Sequence, residues 1–399
     1  SLPAYYGLLA YHYETACQLG EEAAREKARH YLFMAGQQAA ANFDLEDASR
    51  YFSRALALTP VEDVANQSKL LFAREQIHHM DGHREAQQQD LQRLTALMSH
   101  LTWRQRAELA LRQAAYAEAV GAYETVMVHA QTAVAASRQA QADNLTASGI
   151  WMTGMSLWRR GNIEQAHVQF QKGLELAGQN NSRQPMAQCL HGLGNVAFFR
   201  GNYPTAHHFF RRALTIWHQL GDRVGQTATR NNLAIVLWHQ GNYSLALKYH
   251  LQNLALDTES GIRRNQAMVL SNMGHVVRNQ GDLDQAKTYY LRSLKIRRKV
   301  GDRYGEAISL NELGAVTLLQ DKLVEAEQYY QQALALRQTL DQPHHLIEDW
   351  IGVARLKLAQ KEYKSAQKYA QKALAYLAQN PTLAGAIDPD VRFRDYHNH

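Results

Sequence analysis

Small and apolar residues recur along this chain in a helical rhythm that restarts every forty residues. The stretch from Arg200 to Ala286 carries it most plainly, as RGNYPTA at 200–206, QGNYSLA at 240–246 and QGDLDQA at 280–286. Gly201, Gly241 and Gly281 are one period apart, as are Ala206, Ala246 and Ala286. Gly161 with Ala166 precedes them, and Ala326 and Ala366 follow. Leu193-Gly194, Leu233-Ala234, Met273-Gly274, Leu313-Gly314 and Val353-Ala354 occupy one position of a first helix, A. Ala213-Leu214, Asn253-Leu254, Ser293-Leu294, Ala333-Leu334 and Ala373-Leu374 occupy one position of a second helix, B, and Tyr249, Tyr289, Tyr329 and Tyr369 form a ladder at another of its positions. Helical period without strand alternation predicts an all-α chain. A fixed period of this size predicts a solenoid, whose units bury their apolar faces against their neighbours.

Towards the N-terminus, Leu8, Leu9, Ala16 and Leu19, with Tyr5, Tyr11 and Tyr13 between them, predict a helix over 4–19. The Ala-rich stretch from Glu21 to Asn42 predicts a second. Asp44 to Leu58 predicts a third, ending before Pro60. The expected organisation is an N-terminal helical cap over 1–28 and about nine units over 29–380. The units run 29–62, 67–106, 107–146, 147–186, 187–226, 227–266, 267–306, 307–346 and 347–380, followed by a poorly ordered tail over 381–399. The units at 67 and 107 are degenerate. Arg74 stands where glycine is expected and Val126 replaces the alanine of helix B, although Gly82, Gly121 and Ala86 are kept.

Gly36, Ala48, Phe52, Ala55 and Pro60 match the small–large pattern W-x2-L-G-x2-Y…A-x3-F…P. The chain thus resembles the tetratricopeptide repeat proteins, and the resemblance implies a superhelical solenoid of antiparallel helix pairs. Its forty-residue unit exceeds the usual thirty-four. The excess is expected between helix B and the next helix A, as in GDRVGQ at 221–226 and GDRYGE at 301–306. Over about 187–346 the chain is similar to kinesin light chains and the spindle-orienting Leu-Gly-Asn repeat protein, in which A helices line a concave groove that holds extended peptides. The strings LLAYHYETA, YLFMAGQQAAANF and DLEDASRYFSRALAL resemble the sensor region of bacterial signal-transduction ATPases with numerous domains. No G-x-x-x-x-G-K-[ST] loop occurs, so an ATPase domain is expected outside these residues, and the missing initiating Met points the same way.

Composition narrows the classes. The formal charge is +6, and the densest basic run is Arg292, Lys295, Arg297, Arg298, Lys299 and Arg303. It reads as a solvated helix end, where cations meet the negative end of the dipole, with a nucleic-acid patch as the lesser reading. No eighteen-residue apolar run and no signal peptide are present. Cys17 and Cys189 suggest no disulfide framework, and a cytoplasmic setting is expected. Catalytic motifs are lacking, so neither an enzyme nor a cofactor is expected. The histidines at 78-79-83, 207-208, 344-345 and 397-399 invite a metal reading. Adjacent helical positions diverge, however, and no carboxylate or thiol completes the His79–His83 pair, so no metal is expected.

The resemblance also implies ligand-facing positions. With Gly194 as the eighth residue of its unit, these fall at positions two, five, six, nine, twelve and thirteen, and among them stand His191, Asn195, Asn231, Asn232, His239, Asn272, His275, Arg278, Asn279, Asn311, Glu312 and Arg355. Asn232 and Asn272 match the asparagine that bonds a ligand backbone in peptide-binding relatives, a task its paired donor and acceptor suit. The alternative is that these asparagines bridge neighbouring helices. The carboxylate clamp of chaperone-binding relatives is absent, with Gly192 and Glu312 at its positions. Trp151, Trp158, Phe198, Phe199 and Trp238 fall on or near the same face, either as core or as stacking surfaces for a sugar, nucleobase or peptide aromatic. The expected function is a non-catalytic binding module, the ligand- or protein-sensing C-terminal part of a bacterial signalling ATPase or transcriptional regulator. Its expected partner is a protein or peptide, or a small-molecule effector, and neither nucleic acid nor membrane. A free-standing scaffold and a weak nucleic-acid binder at 292–303 are the alternatives.

Overall fold

A computed structural model describes residues 5–42, 44–259, 263–340 and 346–379. The tail expected over 381–399 and the histidine pairs at 344-345 and 397-399 lie outside the described residues. The chain divides into two compact units, Ser1–Pro185 and Met186–His399. The first holds α1 (Tyr6–Gln18), α2 (Ala24–Ala41), α3 (Leu45–Ala57), α4 (Val64–Asp81), α5 (Arg84–Ala96), α6 (Trp103–Ala119), α7 (Tyr123–Gln139), α8 (Asp143–Arg159) and α9 (Ile163–Gln179). After α10 (Arg183–Phe199), which opens at the boundary, the second holds α11 (Tyr203–Leu220), α12 (Arg223–His239), α13 (Tyr243–Glu259), α14 (Arg263–Asn279) and α15 (Leu283–Val300). It continues with α16 (Arg303–Leu319), α17 (Leu323–Gln338), α18 (Leu346–Ala359) and α19 (Tyr363–Gln379). Within each unit consecutive helices pack as hairpins, and no strand occurs among the described residues.

One contact, repeated, holds the A and B helices together. The place where a Cβ on Gly194 would stand is filled by the ring of Phe210, sixteen residues on. Gly274 with Tyr290, Gly314 with Tyr330, Gly36 with Phe52 and Gly154 with Phe170 repeat the arrangement. Glycine inside a helix costs about 1 kcal/mol relative to alanine, and the buried ring more than offsets it. In the degenerate unit the same two positions hold Arg74 and Asp90, whose buried carboxylate accepts from the guanidinium Nε at 2.9 Å and from Nη2 at 2.5 Å. A small–large pair has become an ion pair of matching reach. In α12 and α13 the pair is Ala234 and His250, both buried.

The forty-residue period differs from expectation in where its extra length sits. GDRVGQ and GDRYGE are not linkers. Gly221 (φ 67°) and Gly301 (φ 70°) end α11 and α15 in the left-handed region, and Asp222 and Asp302 already cap the next helices through Gly225 N at 2.9 Å and Gly305 N at 3.0 Å. The second glycine of each motif is needed because the Trp217 ring and the Arg297 side chain lie where its Cβ would be. The length is taken up by helices of 17 or 18 residues, as in α11 to α16. The A-to-B turns are equally short, with Gly201, Gly241 and Gly281 left-handed. Asp321 (φ 58°) and Lys361 (φ 62°) take the same conformation without glycine's freedom.

Candidate functional site

Five A helices of the second unit, α10, α12, α14, α16 and α18, carry the polar residues singled out by their spacing. Side-chain hydrogen bonds run from each A helix to the next. Asn232 Nδ2 donates to Asn195 Oδ1 at 3.1 Å and lies 2.9 Å from His191 Nε2, while His191 Nδ1 lies 2.9 Å from Thr229 Oγ1. Asn272 Nδ2 donates to Asn231 Oδ1 at 3.0 Å. Glu312 pairs with His275 Nε2 at 2.8 Å and accepts from Ser271 Oγ at 2.9 Å. Asn311 Nδ2 donates to Asp349 Oδ1 at 2.7 Å, and Asp349 also pairs with Arg337 Nε at 2.7 Å. Asn195, Asn231, Asn232, Asn272, His275, Asn311 and Glu312 are all buried. The bridging alternative is therefore the geometry found at Asn232 and Asn272. The same step appears in the first unit, where Arg112 of α6 pairs with buried Glu75 of α4.

Burial sets the protonation of this layer. It pushes His191 down to about 4 and, with repulsion from His275, His250 down to about 3, so both rings are neutral near pH 7. Burial pushes Asp349 up to about 6, against the pull of Arg337 and Asn311. Neutral imidazole can accept as well as donate, which suits His191 between a hydroxyl and a carboxamide.

What remains open lies above this layer. Trp238, His239 and Arg278 are half-buried, and Asn279 and Arg355 are exposed. The Trp238 ring stacks near His275 (6.2 Å between centroids, 25°), and His239 stacks on Tyr203 (5.2 Å, 18°). Phe198 packs edge-on against His239 and is buried, whereas Phe199 is 42% exposed. In the first unit Trp158 is buried and Trp151 half-buried. These rings thus split between core and surface, and of Phe198, Phe199 and Trp238 in the second unit the last two keep faces open. Spacing alone missed Tyr203, Thr229, Ser271 and Asp349, which complete the contacts. Thr229 and Ser271 lie one helical turn from Asn232 and His275, and Asp349 shares with Thr229 the third position of its repeat.

Other features are accounted for differently. Arg297 is buried, and its guanidinium donates to the Gly305 carbonyl, while Arg298 Nε pairs with Glu306 at 2.7 Å. Part of the basic run thus ties α15 to α16. No group of three potential metal ligands occurs among the described residues, and none of their helices is long and apolar enough to cross a membrane. A cleft of about 330 Å³ between α5, α6 and α7 is lined by Leu91, Tyr116, Val120 and His129, with neutral Gln113 and Thr95 bonded across it.

The family description "Tetratricopeptide repeat" matches residues 185–259 and 265–339. These segments are tetratricopeptide repeats. They cover nearly all of α10 to α17, and α18, which brings Asp349 to the buried polar layer, follows them. No curated protein matches the chain in sequence. Among solved structures, the tetratricopeptide fold is shared with a Rap protein complexed with Competence and Sporulation Factor, at 13% identity and TM-score 0.58, over 88% of this chain and 98% of that one. The apo form of the quorum sensor NprR from B. thuringiensis is similar at 14% identity and TM-score 0.56, over 84% and 93%. A signal-transduction ATPase with numerous domains and a tetratricopeptide repeat sensor, from Pyrococcus horikoshii, is similar at 12% identity and TM-score 0.56. That match covers 88% of this chain but 54% of the ATPase.

Proposed function

We propose that this chain is a non-catalytic binding module that holds an extended peptide or protein segment on the A-helix face of its second unit. It would serve as the sensing part of a bacterial signalling ATPase or transcriptional regulator. The observation that carries the reading is the layering of this face. A buried, mutually bonded network fixes the five A helices, and the half-open rings of Trp238 and His239, with Arg278, Asn279 and Arg355, stand above it. A pre-organised surface loses little entropy on binding, and aromatic anchors of this kind supply much of the energy of peptide recognition. In this reading Trp238, His239, Arg278, Asn279 and Arg355 touch the ligand. Asn195, Asn231, Asn232, Asn272, His275, Asn311 and Glu312 set the shape beneath them. The fold shared with the quorum sensor and with the sensor-bearing ATPase supports a sensing role.

Panning a random peptide display library on the purified chain tests this. A selected peptide is expected to bind wild type and to lose about tenfold in affinity, roughly 1.4 kcal/mol, with Trp238→Ala. Enrichment of no peptide, or of peptides indifferent to Trp238 and to Arg278→Gln, would refute the reading.

A further inference from the structure

Each aromatic ring at the helix B position of the Gly–aromatic pair packs on the glycine of its A helix, and a tyrosine there carries a hydroxyl beyond the ring. For Tyr290 that hydroxyl is met: Oη lies 3.0 Å from Nδ1 of His275, the ninth residue of the same repeat. One repeat later the ninth residue is Ala315, which packs against the cluster containing Tyr330 but has nothing to offer a hydroxyl. The Tyr330 ring is held between the backbones of Gly314 and Gly352. Its side chain is 2% exposed, and no group among the described residues is hydrogen-bonded to its Oη. The Oη atom itself is not fully buried, so its O–H is open for a ligand to meet.

Two arginines stand on the A helices on either side of α16. Arg278 is the twelfth residue of its repeat on α14, one turn beyond His275, and Arg355 is the ninth residue of its repeat on α18. Neither has an ion pair among the described residues. Burial pushes the Tyr330 phenol up to about 12, while Arg355 and Arg278 pull it back and Asp349 adds to the rise. The hydroxyl is therefore a donor at neutral pH, within the field of both guanidinium groups. The nearby carboxylates are already engaged, Glu312 with His275 and Ser271, and Asp349 with Arg337 and Asn311.

We propose that Tyr330, Arg278 and Arg355 form a subsite for a carboxylate group on the A-helix face of the second unit. Three donors and no free acceptor select an anion, and the planar guanidinium fork suits a carboxylate. The proposal deepens the peptide-binding reading and rests on it for the rest of the ligand. A carboxylate could come from an acidic side chain or from a chain terminus, and both present the same two oxygens.

Small probes test the subsite without any peptide sequence. The arginine Nε–Hε resonances of the full chain are followed by NMR during titration with N-acetylglycine, a terminal carboxylate. N-acetylglutamate α-amide supplies a side-chain carboxylate, and N-acetylglycinamide is the neutral control. The Arg278 and Arg355 signals should shift saturably with at least one carboxylate and not with the amide; whichever acid binds tighter identifies the source. Arg278→Gln and Arg355→Gln should each weaken binding about tenfold, and Tyr330→Phe about fivefold. The last variant should fold, since Phe52, Phe170 and Phe210 occupy the same repeat position. Equal shifts with the neutral amide, unsaturable shifts common to all exposed arginines, affinity unchanged in the Gln variants, or tighter binding of inorganic phosphate would each overturn the proposal. Because the probes are not peptides, carboxylate binding can succeed where library panning fails, and the reverse, so the two readings fail separately.

Discussion

Removing the carboxamide of Asn232 would strand two partners at once, the ring of His191 and the Oδ1 of buried Asn195. Asn232→Ala should therefore lower the unfolding free energy by about 1–3 kcal/mol in a denaturant titration, although alanine is the better helix former. An unchanged midpoint would mean that the asparagine is held in reserve for a ligand. The histidines make a second residue-scale prediction. The unfolded chain protonates His191 and His250 near 6.5, whereas the folded chain does so only near 4 and 3. Their contribution to stability is thus complete above about pH 6.5 and is lost as pH falls toward the folded values. Asp257 and Asp349, both raised to about 6 chiefly by burial, run the other way: their contribution is complete below about pH 4 and is lost as pH rises through 6. A variant isolates the histidine part. Ala234→Gly with His250→Tyr recreates the Gly274–Tyr290 pair, and it also removes a buried ring whose Nδ1 lacks a hydrogen-bond partner. Its melting temperature should fall less than that of wild type between about pH 6.5 and 4, and an identical slope would contradict the assignment.

At the scale of the element, the turns were readable where glycine was present and hidden where it was not. Gly201, Gly241 and Gly281 announce a left-handed helix end, but Asp321 and Lys361 hold the same backbone with side chains that disfavour it. Asp321→Gly and Lys361→Gly should each add about 1 kcal/mol of stability, read from chemical denaturation; a loss would show that their side chains contribute there. The Arg74–Asp90 pair was hidden for a related reason. The sequence pattern flags a missing glycine, whereas the compensating change lies sixteen residues away on the partner helix. GDRVG and GDRYG looked like linkers because Gly and Asp mark loops. Here one residue ends a helix and the next begins another, so the motif has almost no loop in it. The basic run divides in the same way. Arg297→Gln should destabilise the fold by about 1–3 kcal/mol because the Gly305 carbonyl loses its donor. Binding of nucleic acid through Arg292 and Lys299 should be weak, sequence-blind and suppressed by salt. Selective binding that survives about 0.2 M salt would contradict this.

For the molecule as a whole, the fold class was legible because forty-residue periodicity repeats the same steric lock many times, and each copy corrects misreadings of the others. The site was legible only as a set of positions. Spacing could place Asn232, Asn272 and Glu312 on one face, but it could not show that they bond to the neighbouring A helices and lie buried. Nor could it separate Trp238, half open, from Phe198, buried. The central claim is that ligand contact occurs on the A helices of the second unit. It is tested most directly by photo-cross-linking a panned peptide that carries a benzophenone group, followed by peptide mapping. Cross-links should fall on α12, α14, α16 and α18 around Trp238, Arg278 and Arg355. Cross-links concentrated on the B helices, for example around exposed Leu251 and Leu291, or within the first unit, would contradict the account.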